Sequence, residues 1–479
     1  MLKKIITNQN FLYICCRYIV MAIQFIGSLF VAARLGVYHY GIWSFIVLLV
    51  NWGCYLNFGV GSALTVFFVQ QKDDMQQQKS YIYNSFVIAC LIAACCVFFL
   101  LYERVFGIPL FNKYNLGNYI YIVTACVFLQ QLSTFFINLM RLKNDLTAIV
   151  IQQGMWPIVM LMAIFIATGR SLMQIMVVAF LLSSLLACVI LFIRSSIDFK
   201  CKLNLTIARN ILKKGWFLFI NNVSFAMITY STQLIVSNSY SVREFGYYSF
   251  ALTLATGVIM LIDSLVFLFY PKLLNLLTGD NKSNVIKNIT TLRSSYLICI
   301  YLFFLTMLIA QKLFFYLFPM YTPSSLLFCI ILCSLVSYSN CFGYNMFLVA
   351  QNYEKTVAKV TFFTMCLNIL VLLFMTKIMN VNLTYALLGG VAVWQIYSLS
   401  ITFNAMRFLG MKKRKFMFLL FDWKYGITYW GTLVILCLTE HIGFLFIPLL
   451  FFISVSLKDI RLALKNLLLI FTNNETLKI

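Results

Sequence analysis

Tyr40-Gly41-Ile42-Trp43-Ser44-Phe45 and, 205 positions later, Phe245-Gly246-Tyr247-Tyr248-Ser249-Phe250 read as two copies of one motif. In each copy a long apolar segment precedes the motif and another begins inside it. Working outward, the apolar stretches are 11–34, 41–69, 82–101, 118–140, 146–168, 171–193, 216–236, 246–270, 294–318, 326–350, 356–379, 383–406, 426–439 and 442–456. Crossing about 30 Å of hydrocarbon takes roughly 20 apolar residues. The first twelve stretches meet that length; the last two are short enough for a thin hairpin or a partly inserted pair. Many transporters are membrane chains of two equivalent helical halves with the pathway between them. The expected fold class is therefore an all-α polytopic membrane protein, with 12–14 transmembrane helices in two parallel six-helix pseudo-repeats.

The bulk numbers agree. Of 479 residues, 62% are hydrophobic and 10% charged, too little polar surface for a soluble globule. The first stretch is too long for a signal-peptide core and has no small-residue cleavage site, so it is expected to insert and stay. The net charge of +23 does not point to nucleic acid, because the lysines and arginines crowd alternate loops. Counted from a cytoplasmic N-terminus, about 28 fall inside, about 7 outside, and Arg17 within a span. Both termini are thus expected to be cytoplasmic. The 15 cysteines sit almost wholly inside spans without a CxxC pair, and the chain has only His39 and His441. A buried cysteine behaves as a small apolar residue, so neither a disulfide framework nor a metal site is read, and no cofactor is expected.

The chain divides into a first lobe over 1–197 with spans one to six, a basic linker over 198–215, and a second lobe over 216–410 with spans seven to twelve. Residues 411–479 add a basic loop, spans thirteen and fourteen, and a tail. In the linker, Ile207, Ile211 and Leu212 alternate with Arg209, Lys213 and Lys214. That pattern suits either a short helix on the membrane surface or a solvated loop. The repeat continues at Asn144 and Asn352, after the fourth and tenth spans. Six spans separate matching positions, an even number, so the halves share one orientation and the repeat is parallel. The longest outer loop, roughly 101–117, is too short for an extramembrane domain.

Charges inside spans are the informative residues, since each costs roughly 2.5–3.5 kcal/mol on insertion scales unless it faces a cavity or partner. Arg17 lies two turns into the first span, where its long stem either reaches a cavity or snorkels to the interface. Asp263, near the middle of the eighth, is too short to snorkel and is read as an anchor, counter-ion or proton carrier. Polar residues gather in corresponding spans: Gln24 and Ser28 in the first; Asn221, Asn222, Ser224, Thr229, Tyr230, Ser231, Thr232 and Gln233 in the seventh. At the repeat offset Arg17 falls opposite Asn222, and Asp263 opposite Phe58, beside Asn57. Spans one, two, seven and eight are the candidates to line a wet cleft, although such side chains also bind helices to one another. Pro157 is expected to kink the fifth span. There is no Ser-His-Asp set, no phosphate-cradling glycine loop and no Asp-x-Asp, and Asp73-Asp74 reads as a solvated turn. An enzyme is not expected, and with no nucleotide site any driving force must be an ion or substrate gradient.

Ala33-Arg34-Leu35-Gly36 before Tyr40-Gly41, then Asn57-Phe58-Gly59 with Ala63, resembles the first two helices of a known family. So do Gly246-Tyr247-Tyr248-Ser249 with Pro271-Lys272, Tyr321, Ala350-Gln351-Asn352, Asn368 and Gly389-Gly390. The family is the polysaccharide flippases, the O-antigen (Wzx-type) group of the multidrug/oligosaccharidyl-lipid/polysaccharide (MOP) exporter superfamily. The resemblance covers essentially the whole chain. It implies a MATE/MOP-like fold and a flippase that turns undecaprenyl-diphosphate-linked oligosaccharide from the cytoplasmic to the outer leaflet by alternating access. It also implies a bacterial inner-membrane location, with a polysaccharide polymerase and a chain-length regulator as partners beside the lipid-linked glycan. Two positions depart from the pattern: Asn57 stands where a carboxylate is frequent, and Thr232 where many members carry Asp. Coupling at those positions is not implied here, and Asp263 is the candidate substitute.

Arg17 and Arg34 would draw the anionic head into the cleft, with Gln24, Asn57, Asn221, Asn222, Gln233 and Asp263 completing the candidate lining. Two other readings compete. An ion-coupled exporter of small cations or drugs would need more cavity carboxylates. A membrane polymerase or ligase would carry a large outer loop.

Overall fold

The computed structural model describes residues 9–70, 74–106, 112–117, 119–143, 145–257, 277, 282–351, 353–410, 423–438 and 442–472. Asp73, Asn144, Asp263, Asn352 and His441 lie outside them. The described residues are helical with no strand, as a chain without water to solvate its backbone requires. Ten described stretches are long and apolar enough to cross a bilayer. One of these, Cys15–Phe68, holds the first two expected spans.

By packing, the chain forms two units, Met1–Ser249 and Phe250–Ile479. The first contains α1 (Gln9–Tyr55), α2 (Val60–Gln70), α3 (Met75–Phe106), α4 (Tyr119–Leu142), α5 (Leu146–Ile166), α6 (Gly169–Ser195) and α7 (Leu205–Ser239). Helix α8 spans 242–257. α1 has 47 residues and is divided at Gly36, whose φ of 71° and ψ of 165° no helix accommodates. At 1.5 Å per residue an unbroken α1 would run about 70 Å, twice the hydrocarbon thickness, so the glycine turns one helix into two spans.

The glycines of the two motif copies meet inside this unit, and the contact is reciprocal. A methyl on Gly41 would overlap the carbonyl oxygen of Val242, and one on Gly246 would overlap that of Val37. Each glycine thus receives the backbone four residues ahead of the other. The aromatic that closes each motif repeats a contact as well. Phe45 stacks on Tyr114 at 3.8 Å in the first unit, and Phe250 stacks on Tyr321 at 4.0 Å in the second. The turns after α4 and before residue 353 are built alike too: Asp145 N donates to Met140 O at 3.0 Å and Tyr353 N to Leu348 O at 2.7 Å.

Four helix ends in the first unit are closed by side chains. Asp74 Oδ1 accepts from the amides of Gln76 and Gln77 at 3.0 and 2.9 Å and starts α3. Asn204 Oδ1 accepts from Thr206 and Ile207 and starts α7. Lys113 Nζ donates to Ser237 O at 2.9 Å and to Tyr240 O, placing a cation on the carbonyls at the end of α7. At the start of α5, Asp145 accepts from Thr147, Ala148 and Arg194. Partial burial pushes its carboxyl upward, but those donors outweigh burial and hold it below the usual carboxylate range. The linker resolves the open choice between surface helix and loop. Residues from Leu205 onward are helical and run into the seventh span without a break, with Ile211 fully buried and Ile207 and Ala208 packed beside it. α5 runs helically through Pro157.

The second unit contains α9 (Lys282–Leu317), α10 (Ser325–Ser339), α11 (Tyr344–Ala350), α12 (Glu354–Leu373), α13 (Leu383–Phe408), α14 (Trp423–Leu438) and α15 (Phe446–Thr472). The expected thirteenth and fourteenth spans belong to its core. Tyr429 of α14 is buried, lies 2.6 Å from Ser337 Oγ and donates to Cys333 O at 3.1 Å. Gln395 of α13 donates to the same Ser337 oxygen at 3.0 Å. Lys424 and Asp459 join α14 to α15 at 2.7 Å.

Two outcomes test this packing. Gly41→Val and Gly246→Val should each lower the unfolding temperature in detergent, at a cost of about 1–3 kcal/mol for forcing apart packed backbone. Tyr429→Phe should cost about 1 kcal/mol, read in the same assay, because Ser337 and the Cys333 carbonyl lose a buried partner.

Candidate functional site

The second expected span, 41–69, is not one helix. α1 stops at Tyr55, residues 56–59 leave the helix, and α2 begins at Val60. Phe58 and Gly59 both take left-handed φ values, 47° and 69°. Only a well-supported backbone holds a non-glycine residue there, and the support is visible. Asn57 Nδ2 donates to Cys54 O at 3.1 Å, while its Oδ1 accepts from Gly59 N at 2.9 Å. Gln131, buried on α4, donates to Gly53 O at 2.5 Å and to Cys96 Sγ at 3.2 Å. The Phe58 ring lies 5.2 Å from Phe219 and 6.0 Å from Trp216, both on α7. At Gly215 a methyl would stand 2.7 Å from Phe58 O, and one on Gly59 would overlap Gly215 O. Two glycines therefore let the broken stretch of chain lie directly on α7. Beside the break a hollow of about 20 Å³, lined by Asn57, Gly61, Gln131, Thr134 and Asn138, has room for a single water.

A second break interrupts the expected tenth span at 340–343, in the other unit. Arg293, only 8% exposed, donates from Nε to Asn340 O at 3.2 Å and lies 5.7 Å from the centre of the Tyr344 ring. Tyr301 OH donates to Asn340 Oδ1 at 3.2 Å. Discontinuous spans are where transporters of several folds bind their substrates and ions. Non-helical backbone at that depth is tolerated only inside protein or against a wet cavity.

The candidate residues are distributed over α1, the break and α7. Arg17 on α1 is half-buried; Gln24 and Arg34 on the same helix are exposed, Arg34 two residues before the Gly36 turn. Asn57 is the hydrogen-bonding residue of the break itself. Asn221 and Asn222 lie on the α7 backbone, and nothing is described of their side chains. Gln233 on α7 is half-buried. Asp263 is outside the described residues.

Spacing relates the two polar helices more closely than their charges do. Arg17, Gln24 and Ser28 stand at intervals of seven and four, which puts them along one face of α1. Asn222, Thr229 and Gln233 repeat those intervals on α7, each 205 positions on. The motif offset shows this only when applied to every polar residue, rather than to charged ones alone. Gln131 and Arg293 carry no such signal, because only packing reveals that they hold the breaks.

Chemically, these surfaces offer amides, hydroxyls and guanidinium groups. Among the described residues the carboxylates, Asp74, Glu103, Asp145, Asp198, Glu244, Glu354 and Asp459, all lie outside the apolar stretches. No three His, Cys, Asp or Glu among the described residues are grouped to hold a metal ion.

A family model described as polysaccharide biosynthesis protein matches residues 30–320. Among solved structures, the lipid II flippase MurJ in an inward closed conformation superposes with a TM-score of 0.69 at 14% identity, over 95% of this chain and 99% of that one. An inward-facing multidrug resistance MATE family transporter of the MOP superfamily gives 0.61 at 11% identity, over 82% and 94%. A MOP superfamily transporter from Pyrococcus furiosus gives 0.52 at 13% identity, over 83% and 95%. These likenesses show the fold. No curated protein matches the sequence.

Replacing Gln131 by Leu should strip the Gly53 carbonyl of a buried donor and destabilise the protein by about 1–3 kcal/mol. Thermal unfolding in detergent reads this, and an unchanged midpoint would mean the break does not depend on that amide.

Proposed function

The chain belongs to the polysaccharide biosynthesis protein family whose model spans residues 30–320, and on that premise we propose that it is a flippase for polyprenyl-diphosphate-linked oligosaccharide. The substrate is taken to be an undecaprenyl-diphosphate repeat unit of an O-antigen or another surface polysaccharide. It is carried from the inner to the outer leaflet of a bacterial cytoplasmic membrane, with both termini on the cytoplasmic side. Movement is by alternating access between lobes 1–197 and 216–410, coupled to an ion gradient.

The observation that carries this reading is the pairing of a cationic polar stripe with an interior poor in acid. Arg17, Gln24 and Ser28 line one face of α1, and the described carboxylates lie outside the apolar stretches. A diphosphate with several sugar hydroxyls cannot enter hydrocarbon unaided, since each unpaired polar group costs kcal/mol. A wet cleft solvates the head while the polyprenyl tail stays in lipid. Charge-assisted hydrogen bonds from guanidinium to phosphate, often bidentate, are among the strongest a protein makes. Arg17 and Arg34 supply them in this reading, Gln24, Asn221, Asn222 and Gln233 meet the hydroxyls, and Asp263 answers to the coupling ion. Asn57 borders the cleft but spends its own hydrogen bonds on the break, so its part is to shape the wall. The fold is shared with a multidrug transporter, which favours drug export as a second reading; a cation exporter, however, needs carboxylates within the apolar stretches, and the described ones lie outside them.

The test is reconstitution into vesicles with a fluorescent lipid-linked oligosaccharide, reading how fast the head becomes accessible on the far side. Losing one charged contact to the diphosphate is worth about 1.5–3 kcal/mol, so Arg17→Ala and Arg34→Ala should each slow transport roughly tenfold to a hundredfold. Asp263→Asn should abolish its dependence on the ion gradient. Wild-type rates in all three variants would remove these residues from the pathway, and no flipping by the wild-type chain would remove the function.

A further inference from the structure

The linker that joins α6 to α7 has features that transport of a glycan does not use. After α6 the chain is pinned to the base of α3: Lys79 Nζ meets Asp198 Oδ2 at 3.3 Å, and Asn204 N donates to the buried Asn84 at 2.8 Å. Between these two ties the chain lines an open hollow of about 960 Å³ against the start of α3. Lys79, Lys200 and Lys202 line it together with Ser80. The Asp198 carboxylate also lines it, but it is already engaged by Lys79 and by the amide of Lys200 at 3.1 Å. Three lysines to one engaged carboxylate leave the hollow cationic.

The rim of the hollow and the helix beyond it are apolar and open. Leu203 and Leu205 also line the hollow and are 53% and 79% exposed. On α7, Leu205, Leu212 and Trp216 stand at intervals of seven and four and share one face, with Arg209 among them. Leu212 and Trp216 are 43% and 47% exposed, whereas Ile211 one position away is fully buried. The helix therefore has an inward face that packs on the unit and an outward face that is also apolar. A solvated linker would not present leucines and a tryptophan beside lysines. A surface at headgroup level does so, with aromatic and aliphatic groups toward the acyl chains and cations toward phosphate.

We propose that this hollow and the adjoining face of α7 form a binding site for an anionic phospholipid. Its phosphate sits against Lys79, Lys200 and Lys202, and its acyl chains lie along Leu205, Leu212 and Trp216. The lysine end of the site lies apart from the candidate substrate lining, Trp216 at its other end also packs on Phe58 of the break, and the site ties the linker to the charged leaflet on the side of the basic loops.

The test uses the purified full chain in detergent, titrated with phosphatidylglycerol carrying brominated acyl chains, with tryptophan fluorescence as the signal. Quenching is expected to include a component that Trp216→Phe removes. In the double variant Lys200→Gln/Lys202→Gln its half-saturation should rise at least about tenfold, given what each lysine contributes near an anionic headgroup. Phosphatidylcholine with the same brominated chains should bind weakly and equally to wild type and variant. Unfolding temperatures of the two exposed-site variants serve as the folding control. An unchanged half-saturation in the folded double variant would overturn the proposal, as would quenching that survives in full in Trp216→Phe. Displacement of the lipid by millimolar inorganic phosphate would overturn it too, because the hollow would then be a free-anion site.

Discussion

A peptide group in hydrocarbon has no water to fall back on, and this constraint decides where the chain can depart from helix. The two described breaks in the middle of expected spans are covered by protein. At 56–59 the cover is the Asn57 side chain, the Gln131 amide and the ring stack of Phe58 on α7. At 340–343 it is Arg293 and Tyr301 on the Asn340 carbonyl and side chain. Elsewhere the chain turns outside the apolar stretches, where Asp74, Asn204 and Asp145 close helix starts and Lys113 closes an end.

The same constraint explains how polar residues are used. Serines and threonines within spans mostly donate back to the carbonyl one turn earlier, as Thr65, Thr134, Ser224 and Thr232 do. Such hydroxyls satisfy themselves and say little about a pathway. Side chains that reach across to another helix carry more structural weight, and Gln131, Gln395 and Tyr429 are of that kind. Ser28 on α1 is of the first kind, donating to Gln24 O at 2.7 Å, whereas Gln24 is exposed and Arg17 half-buried within an apolar stretch. A function that needs a wet wall has to use residues of this third kind.

Close backbone contact also ties the repeat to the fold. Gly41 and Gly246 each admit the carbonyl of the other copy's segment, and a side chain at either would force them apart. The aromatic four residues later stacks on a tyrosine in both units, Tyr114 and Tyr321. The motif is thus a packing device used twice.

From the sequence alone came the membrane class, the positions of most helices, the two motif copies, and the polar character of α1 and α7. Those derive from hydropathy and spacing, which are properties of residues taken in order. The linker's helical pattern was visible as well, but its two apolar faces were not, because periodicity cannot tell which leucine meets a core and which meets lipid. The breaks in the second and tenth spans, the integration of Tyr429 into the second unit, and the roles of Gln131 and Arg293 were decided by tertiary structure. The breaks depend on which carbonyl loses its helical partner and which distant side chain arrives to replace it, Tyr429 on which buried hydroxyl and carbonyl it meets, and such pairings exist only once the helices have packed.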